Sequence, residues 1–296
     1  MENSQHNLRW WQLKNYLFIV PVLLILGMTV VYPLIYNTGI AFFNYSPVQN
    51  TWRFAGLGKF AKLFYSPFFW QSFWVTLIWV AGSVGLQMVL GMVVALALNR
   101  VRFGRAFLSG LFLVPWISSY VIVTVLWLWV YHPQLGVFND ILLRLHLIHR
   151  PILWLATPGL ALFSLILTNS WKFFPLVMIT IFAGLQSIPK EYYEVAAVEG
   201  ANSTQTLRKV VFPSLLPSIS VAILVATIWA FNSFTLPFIM TGGGPLRGTE
   251  ILGLYIYKEA FDAYDFGAAA AGSIFLFLQI FTVIFFYVKT VGKETV

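Results

Sequence analysis

Cysteine is absent from the 296 residues, and charge is scarce: Asp, Glu, Lys and Arg together make up 9% of the chain. Without cysteine there are no disulfides and no thiolate chemistry, and cysteine usage gives no indication of compartment. Globular proteins carry about 25% charged residues; here 59% of the residues are apolar and the mean hydropathy is +0.80. All ten carboxylates fall outside the long apolar runs, which removes the usual general acid–base pair from the interior. Neither H-E-x-x-H nor G-x-S-x-G occurs. A phosphate-cradling G-x-x-x-x-G-K-[ST] is missing too, and GLGK at 56–59 is too short to replace it. The chain reads as no enzyme, and if ATP drives it, another polypeptide binds the ATP and its Mg.

What is abundant is hydrophobic length. A bilayer core of about 30 Å needs roughly 20 apolar residues per helix. Six runs meet that need, at about 17–40, 73–98, 106–131, 160–185, 215–241 and 266–288. Five contain no ionisable Asp, Glu, Lys or Arg, and the fourth contains only Lys172. Lipid offers the backbone no partners, and closed barrels alternate in short segments instead, so these runs predict helices. The fold class expected is an all-α membrane protein: one domain over 1–296, with six transmembrane helices. The first run is too long for a signal-peptide core and no small-x-small cleavage site follows it.

The net charge of +8 suggests nucleic acid only until the charges are placed. NRVRFGR at 99–105 puts three arginines into one short turn, which orients the chain with both termini cytoplasmic. The charge is topology rather than a nucleic-acid footprint. Trp10 and Trp11, beside Arg9 and Lys14, read as an interfacial anchor. The outer loops are expected at about 41–72, 132–159 and 242–265, the last with a short helix around ILGLYIYKEAF. His146 and His149 are three apart in the second of these, but with no third ligand they read as solvated loop histidines.

Two features inside the spans stand out. Lys172 lies about 21 Å from the cytoplasmic end of its helix at 1.5 Å per residue; it either snorkels to the outer interface or lines a pathway. WAFNSFTLPF at 229–238 puts Asn232 and Ser233 deep in the fifth run. Such groups must face protein or water, as interhelical glue or as the wall of a solute path. Trp229 beside them suits sugar stacking.

The stretch EYYEVAAVEGANSTQTLRKVVFPSLLP (191–217) is polar in a chain that is otherwise greasy. Pro189 suits the first helical position, and Glu191 and Glu194 fall in the first turns, where the helix dipole favours carboxylates. Ala196, Ala197, Gly200 and Ala201 leave one flank with nothing larger than a methyl. Gly200 can end the helix left-handed, Asn202 or Ser203 caps a second short helix, and Pro213 marks the return to the membrane. The product is a stiff helix–turn–helix knuckle at about 187–213, small enough to dock in a partner's groove.

This stretch resembles the pattern E-A-A-x3-G-x9-I-x-L-P of the permease subunits of bacterial binding-protein-dependent ABC importers. Glu194, Ala196, Gly200 and Pro213 match it, while Val195, Val210 and Phe212 are conservative departures. LQSIPKEYYEVAAVEGA, TGGGPLRGTEILGLYIYKEAF and FAGLGKFAKLF look like the sugar-importing, maltose and glycerol-phosphate branch. The resemblance implies an inner-membrane subunit with no cofactor of its own, working by ATP-driven alternating access. Its partners would be a second homologous permease, two ATP-binding subunits and an extracytoplasmic solute-binding protein, besides the surrounding lipid. It implies that the loop around Glu194, Ala196, Ala197, Gly200 and Pro213 docks on the ATPase, and that the segment around Asn232 and Ser233 contacts the solute; Trp229 and Lys172 are the further path candidates that the residues themselves suggest. The competing reading is a stand-alone secondary carrier or channel. Such carriers commonly place a titrating Asp, Glu or His inside a span, which this chain lacks, and that reading leaves the knuckle unexplained.

Overall fold

The computed structural model describes residues 19–47, 51–101 and 103–291. The expected aromatic anchor at Trp10 and Trp11, and the first residues of the first run, lie outside the described residues. The chain divides into two units, one formed by residues up to Tyr65 together with Ile256–Ile274, the other by Ser66–Tyr255 with the residues from Phe275 onward.

In the first unit, α1 (Ile19–Ile40) exposes nearly all of its apolar surface, as a helix in lipid does. A two-stranded antiparallel hairpin follows, β1 (Phe43–Ser46) against β2 (Thr51–Phe54), with Phe43 opposite Phe54 and Tyr45 opposite Trp52. It is a small departure from an all-α chain. Helix α2 (Gly58–Tyr65) carries Lys59 and Lys62, whose ammonium groups lie 2.7 and 2.9 Å from the two carboxylate oxygens of Asp265. Asp265 also accepts from the Ala268 N–H at 3.0 Å, capping the start of α12 (Phe266–Val291). Burial alone raises the Asp265 carboxyl, but the two ammonium groups and the amide outweigh it and hold the group down at about 2.

In the second unit α3 (Pro67–Arg100) begins six residues before the expected span. Ser66 accepts from the Phe69 N–H and Pro67 occupies the first turn, a combination that starts helices. Helix α4 (Arg105–Ile117) is separated from α5 (Tyr120–Val130) by a 92° bend. The third span is therefore broken; Pro115, the proline inside α4, marks a kink of the kind membrane helices tolerate, and the interruption goes further, to two separate helices. Helix α6 (Val137–Arg144) lies in the following loop. Then come α7 (Pro158–Ser187), α8 (Lys190–Val198), α9 (Ser203–Phe231), α10 (Thr235–Thr241) and α11 (Leu252–Phe261). The helix expected around ILGLYIYKEAF is α11.

Among the described residues, five helices are long and apolar enough to cross a membrane, and the bent α4–α5 pair makes a sixth if it counts as one span. The fifth run is not continuous either: α9 stops at Phe231 and α10 restarts at Thr235. The most apolar window of α7 is 67% buried against 22–28% for α3, α9 and α12, so α7 is the post around which the second unit is built. Helices α3, α4 and α9 all pack on it, and α10 packs on α5. A Cβ at Gly91 of α3 would lie 2.6 Å from Val177 Cγ1 and 3.0 Å from the Met178 nitrogen. Glycine there lets two backbones approach, the usual way membrane helices gain contact. The Trp79 indole donates to the Ala230 carbonyl at 3.0 Å, tying α3 to α9.

Candidate functional site

The knuckle is built from local signals. Pro189 is the N-cap of α8 (φ −58°, ψ 140°) rather than its first helical residue, because its extended ψ lets the chain leave α7 before winding again. Helix α8 closes at Gly200, whose φ of +77° is left-handed. The Gly200 N–H donates to the Ala197 carbonyl at 3.1 Å and the Ala201 N–H to the Ala196 carbonyl at 2.9 Å, the bond pair of a Schellman turn. Asn202 is the next cap. Its side chain accepts from the Gln205 N–H at 2.9 Å and the Gln205 side chain accepts from the Asn202 N–H at 2.8 Å, a reciprocal capping box.

The expected second short helix is absorbed into α9, which runs unbroken from Ser203 to Phe231. Pro213 is no boundary. Leu207–Val211 form a widened turn in which the Phe212 N–H donates back to Leu207, so the helix passes through the missing proline N–H without stopping. Knuckle and span are one rod.

Ala196 is buried, while Glu194, Ala197 and Gly200 are exposed. The small-residue flank is therefore split: Ala196 faces the chain's own body and cannot form part of an outward surface here. The exposed side also presents Tyr192, Val195 and Val198, the last 89% exposed. Sequence reasoning missed this apolar rim; its signal was the 192, 195, 198 spacing on an otherwise polar helix. On the other side, Tyr193, Ser203, Thr206 and Leu207 border a cavity of about 260 Å³ with Asn99 and Arg100 at the end of α3.

The polar residues of the interior come together where the spans break. Ser233, 5% exposed, lies with its hydroxyl 3.3 Å from the Tyr120 hydroxyl, which in turn donates to Asn169 Oδ1 at 3.1 Å. Tyr120 opens α5, Asn169 sits mid-α7 and Ser233 lies in the gap between α9 and α10. Asn232 behaves differently: it is exposed, and its amide donates to Ile228 of its own helix at 2.8 Å. Trp229 is half exposed, its ring centroid 5.5 Å from that of Phe173. Lys172 does not snorkel. It is 3% exposed and donates to the carbonyls of Ser118 at 2.6 Å, Pro115 at 3.3 Å and Trp116 at 3.4 Å, with Tyr120 and Phe173 rings 5.0 and 5.5 Å away. Tyr120 and Asn169 were not singled out in the sequence; a tyrosine after two serines in an apolar run was the one available hint.

Two other features carry no chemistry. His146 and His149 are exposed, and among the described residues no three His, Asp or Glu side chains gather as a metal site. A groove of about 610 Å³ beside α5 is walled by Val121, Val125, Leu126 and Trp129 among others and offers a solute almost nothing polar. The TGGGPLRGTE loop is pinned to α3: Glu250, fully buried, pairs with Arg247 at 3.1 Å and accepts from Ser72 at 3.4 Å.

Residues 87–291 match the family model described as "Binding-protein-dependent transport system inner membrane component". The inner membrane ABC transporter permease protein YcjO of Escherichia coli K12 is 33% identical over 280 residues, covering 93% of each chain. The trehalose/maltose transport system permease protein MalF of Thermococcus litoralis is 30% identical over 292 residues, covering 98% of each. A chain of the crystal structure of a bacterial ABC transporter that imports the acidic polysaccharide alginate superposes with a TM-score of 0.82 at 23% identity, over the whole of both chains.

Proposed function

The chain belongs to the family of binding-protein-dependent transport system inner membrane components, the permeases of ABC importers, and from that membership we propose that it carries a carbohydrate into the cytoplasm by ATP-driven alternating access. It supplies half of the pathway, and a second permease of the same family supplies the other half. Two ATPase subunits drive the pair, and an extracytoplasmic binding protein delivers the solute. A relative named as a trehalose/maltose transport system permease, aligned over 98% of each chain, supports a sugar as cargo. Both termini lie in the cytoplasm in this reading, since the arginine-rich turn at 99–105 marks that side.

One observation carries the coupling role: the knuckle is continuous with α9 and separated from α7 by two residues, Ile188 and Pro189. A rigid-body shift of a docked ATPase would therefore reach two spans directly. Glu194, Ala197 and Gly200 form the docking face, with Val195 and Val198 as its apolar rim. Ala196 and Pro213 act from within, the first by packing, the second by shaping the rod. The breaks after Ile117 and Phe231 are where the solute passes, bordered by Trp229, Asn232 and Ser233 with Lys172 behind them. A loaded binding protein promotes turnover because it prefers one state of the transporter over the other.

The test is affinity purification of the full chain from its native membrane. An ATP-binding chain that co-purifies in equal amount bears the proposal out. Robust solute flux through this chain alone, with no such partner, contradicts it and restores the stand-alone carrier.

A further inference from the structure

A buried lysine with no carboxylate beside it needs a reason. Among the described residues Lys172 enters no salt bridge, and its partners are three carbonyls at the end of α4. In an unbroken helix the carbonyls of Pro115, Trp116 and Ser118 would accept from the amides four residues on. The 92° bend removes those donors, and lipid supplies none. An ammonium carries three N–H groups and the positive charge that a helix C-terminus favours. The residues that follow the bend depend on its position, because Tyr120 starts α5 and reaches Asn169 and Ser233 through one hydroxyl.

We propose that Lys172 is a positioning residue: its ammonium replaces the missing helix amides and so keeps the third span broken. That fixes Tyr120 against Asn169 and Ser233, at the level where the fifth span is also interrupted. Helix α5 packs on α10, so the segments that follow the two breaks are held as a pair whose geometry starts at this lysine. The significance of that geometry for a solute rests on the function proposed above; the geometry itself does not.

The experiment uses the absence of native cysteine. Nitroxide labels on Phe107→Cys in α4 and Trp129→Cys in α5, both exposed positions, report the bend by pulsed dipolar spectroscopy in the full chain purified with its co-purifying subunits. At 1.5 Å per residue the labelled backbone sites are about 22 Å apart across a right-angle bend and about 33 Å apart in one straight helix. With Lys172, and with Lys172→Arg, which still donates to carbonyls, a single short distance is expected. Lys172→Met, which fills the space without donating, is expected to add a component about 10 Å longer. Failure of the methionine variant to insert, with the arginine variant intact, supports the proposal equally. An unchanged short distance in Lys172→Met overturns it. So does an arginine variant that behaves like the methionine one, since side-chain volume and not donation would then set the bend. Because the labels read backbone geometry, they answer whether or not any solute crosses here; uptake measurements answer the other question.

Discussion

The Ala201 N–H donates to the Ala196 carbonyl at 2.9 Å, one residue farther back than an α-helical bond, and the chain turns there because Gly200 between them sits at φ +77°. That relationship sets the shape of the knuckle. It buries Ala196 against the body of the chain and leaves Gly200 on the outside.

Gly200 is therefore constrained twice. An L-residue in that conformation costs about 1–2 kcal/mol, so Gly200→Ala is expected to loosen the turn and weaken coupling. Gly200→Trp should do more. Nothing lies within 4 Å of a Cβ built at this exposed position, so the side chain starts in open space and insertion should survive. Solute-stimulated ATP hydrolysis by the assembled importer should fall at least tenfold. Unchanged stimulation would remove Gly200 from the interface.

Asn232 and Ser233 are neighbours with different expected phenotypes. The Asn232 amide serves its own helix and is exposed, so Asn232→Ala should leave assembly intact, change stability by no more than about 0.5 kcal/mol and alter uptake. Ser233→Ala removes a buried contact to Tyr120; buried membrane hydrogen bonds average about 0.6 kcal/mol, and a small fall in thermal stability is expected. Loss of the complex in Asn232→Ala alone would contradict this division.

Close approach of α3 and α7 gives a matched pair of glycine variants. Gly91→Val places atoms on Val177 and the Met178 backbone, and overpacking of this kind costs about 1–3 kcal/mol or more. Gly85→Ala meets nothing and should be neutral or slightly stabilising. Thermal unfolding in detergent distinguishes them, and equal melting behaviour would show that the two helices are not in register as described.

The Lys59–Lys62–Asp265 cluster has a pH signature. The folded Asp265 carboxyl, at about 2, lies below its ordinary 3.8. Its contribution to stability is complete above about pH 4 and disappears as pH falls toward 2. Asp265→Asn should lower stability at pH 7 by about 1–2 kcal/mol, discounted because Lys62 is largely exposed. The gap between the variant and the native chain should narrow between pH 4 and pH 3. A gap that stays constant over that range contradicts the assignment.

How much was legible depended on whether the cause was local. Helices α1, α3, α7 and α12 follow from long apolar runs in which Lys172 is the one charged residue, and the knuckle follows from Gly200 and Asn202, whose partners Ala197 and Gln205 lie three residues away. The break after Ile117 was legible only in part. Pro115 and the pair Ser118–Ser119 mark a weak point in the run, but the group that satisfies the broken turn, Lys172, is 54 residues away. The same holds for Ser233, whose partner Tyr120 is 113 residues distant. Pro213 misled for the opposite reason: proline reads as a boundary, but a widened turn at Leu207–Val211 carries the helix past it. The burial of Ala196 could not be read from a stretch whose two flanks differ by single methyl groups.

The central claim is that the knuckle seats on a separate ATP-driven subunit. A benzophenone maleimide on Ala197→Cys, the sole thiol in this chain and exposed in the structure, tests it most directly in native membranes. Irradiation is expected to join this chain to an ATP-binding polypeptide, with a yield that changes when nucleotide is added. Cross-links to lipid alone, or to no ATP-binding chain with or without nucleotide, would contradict it.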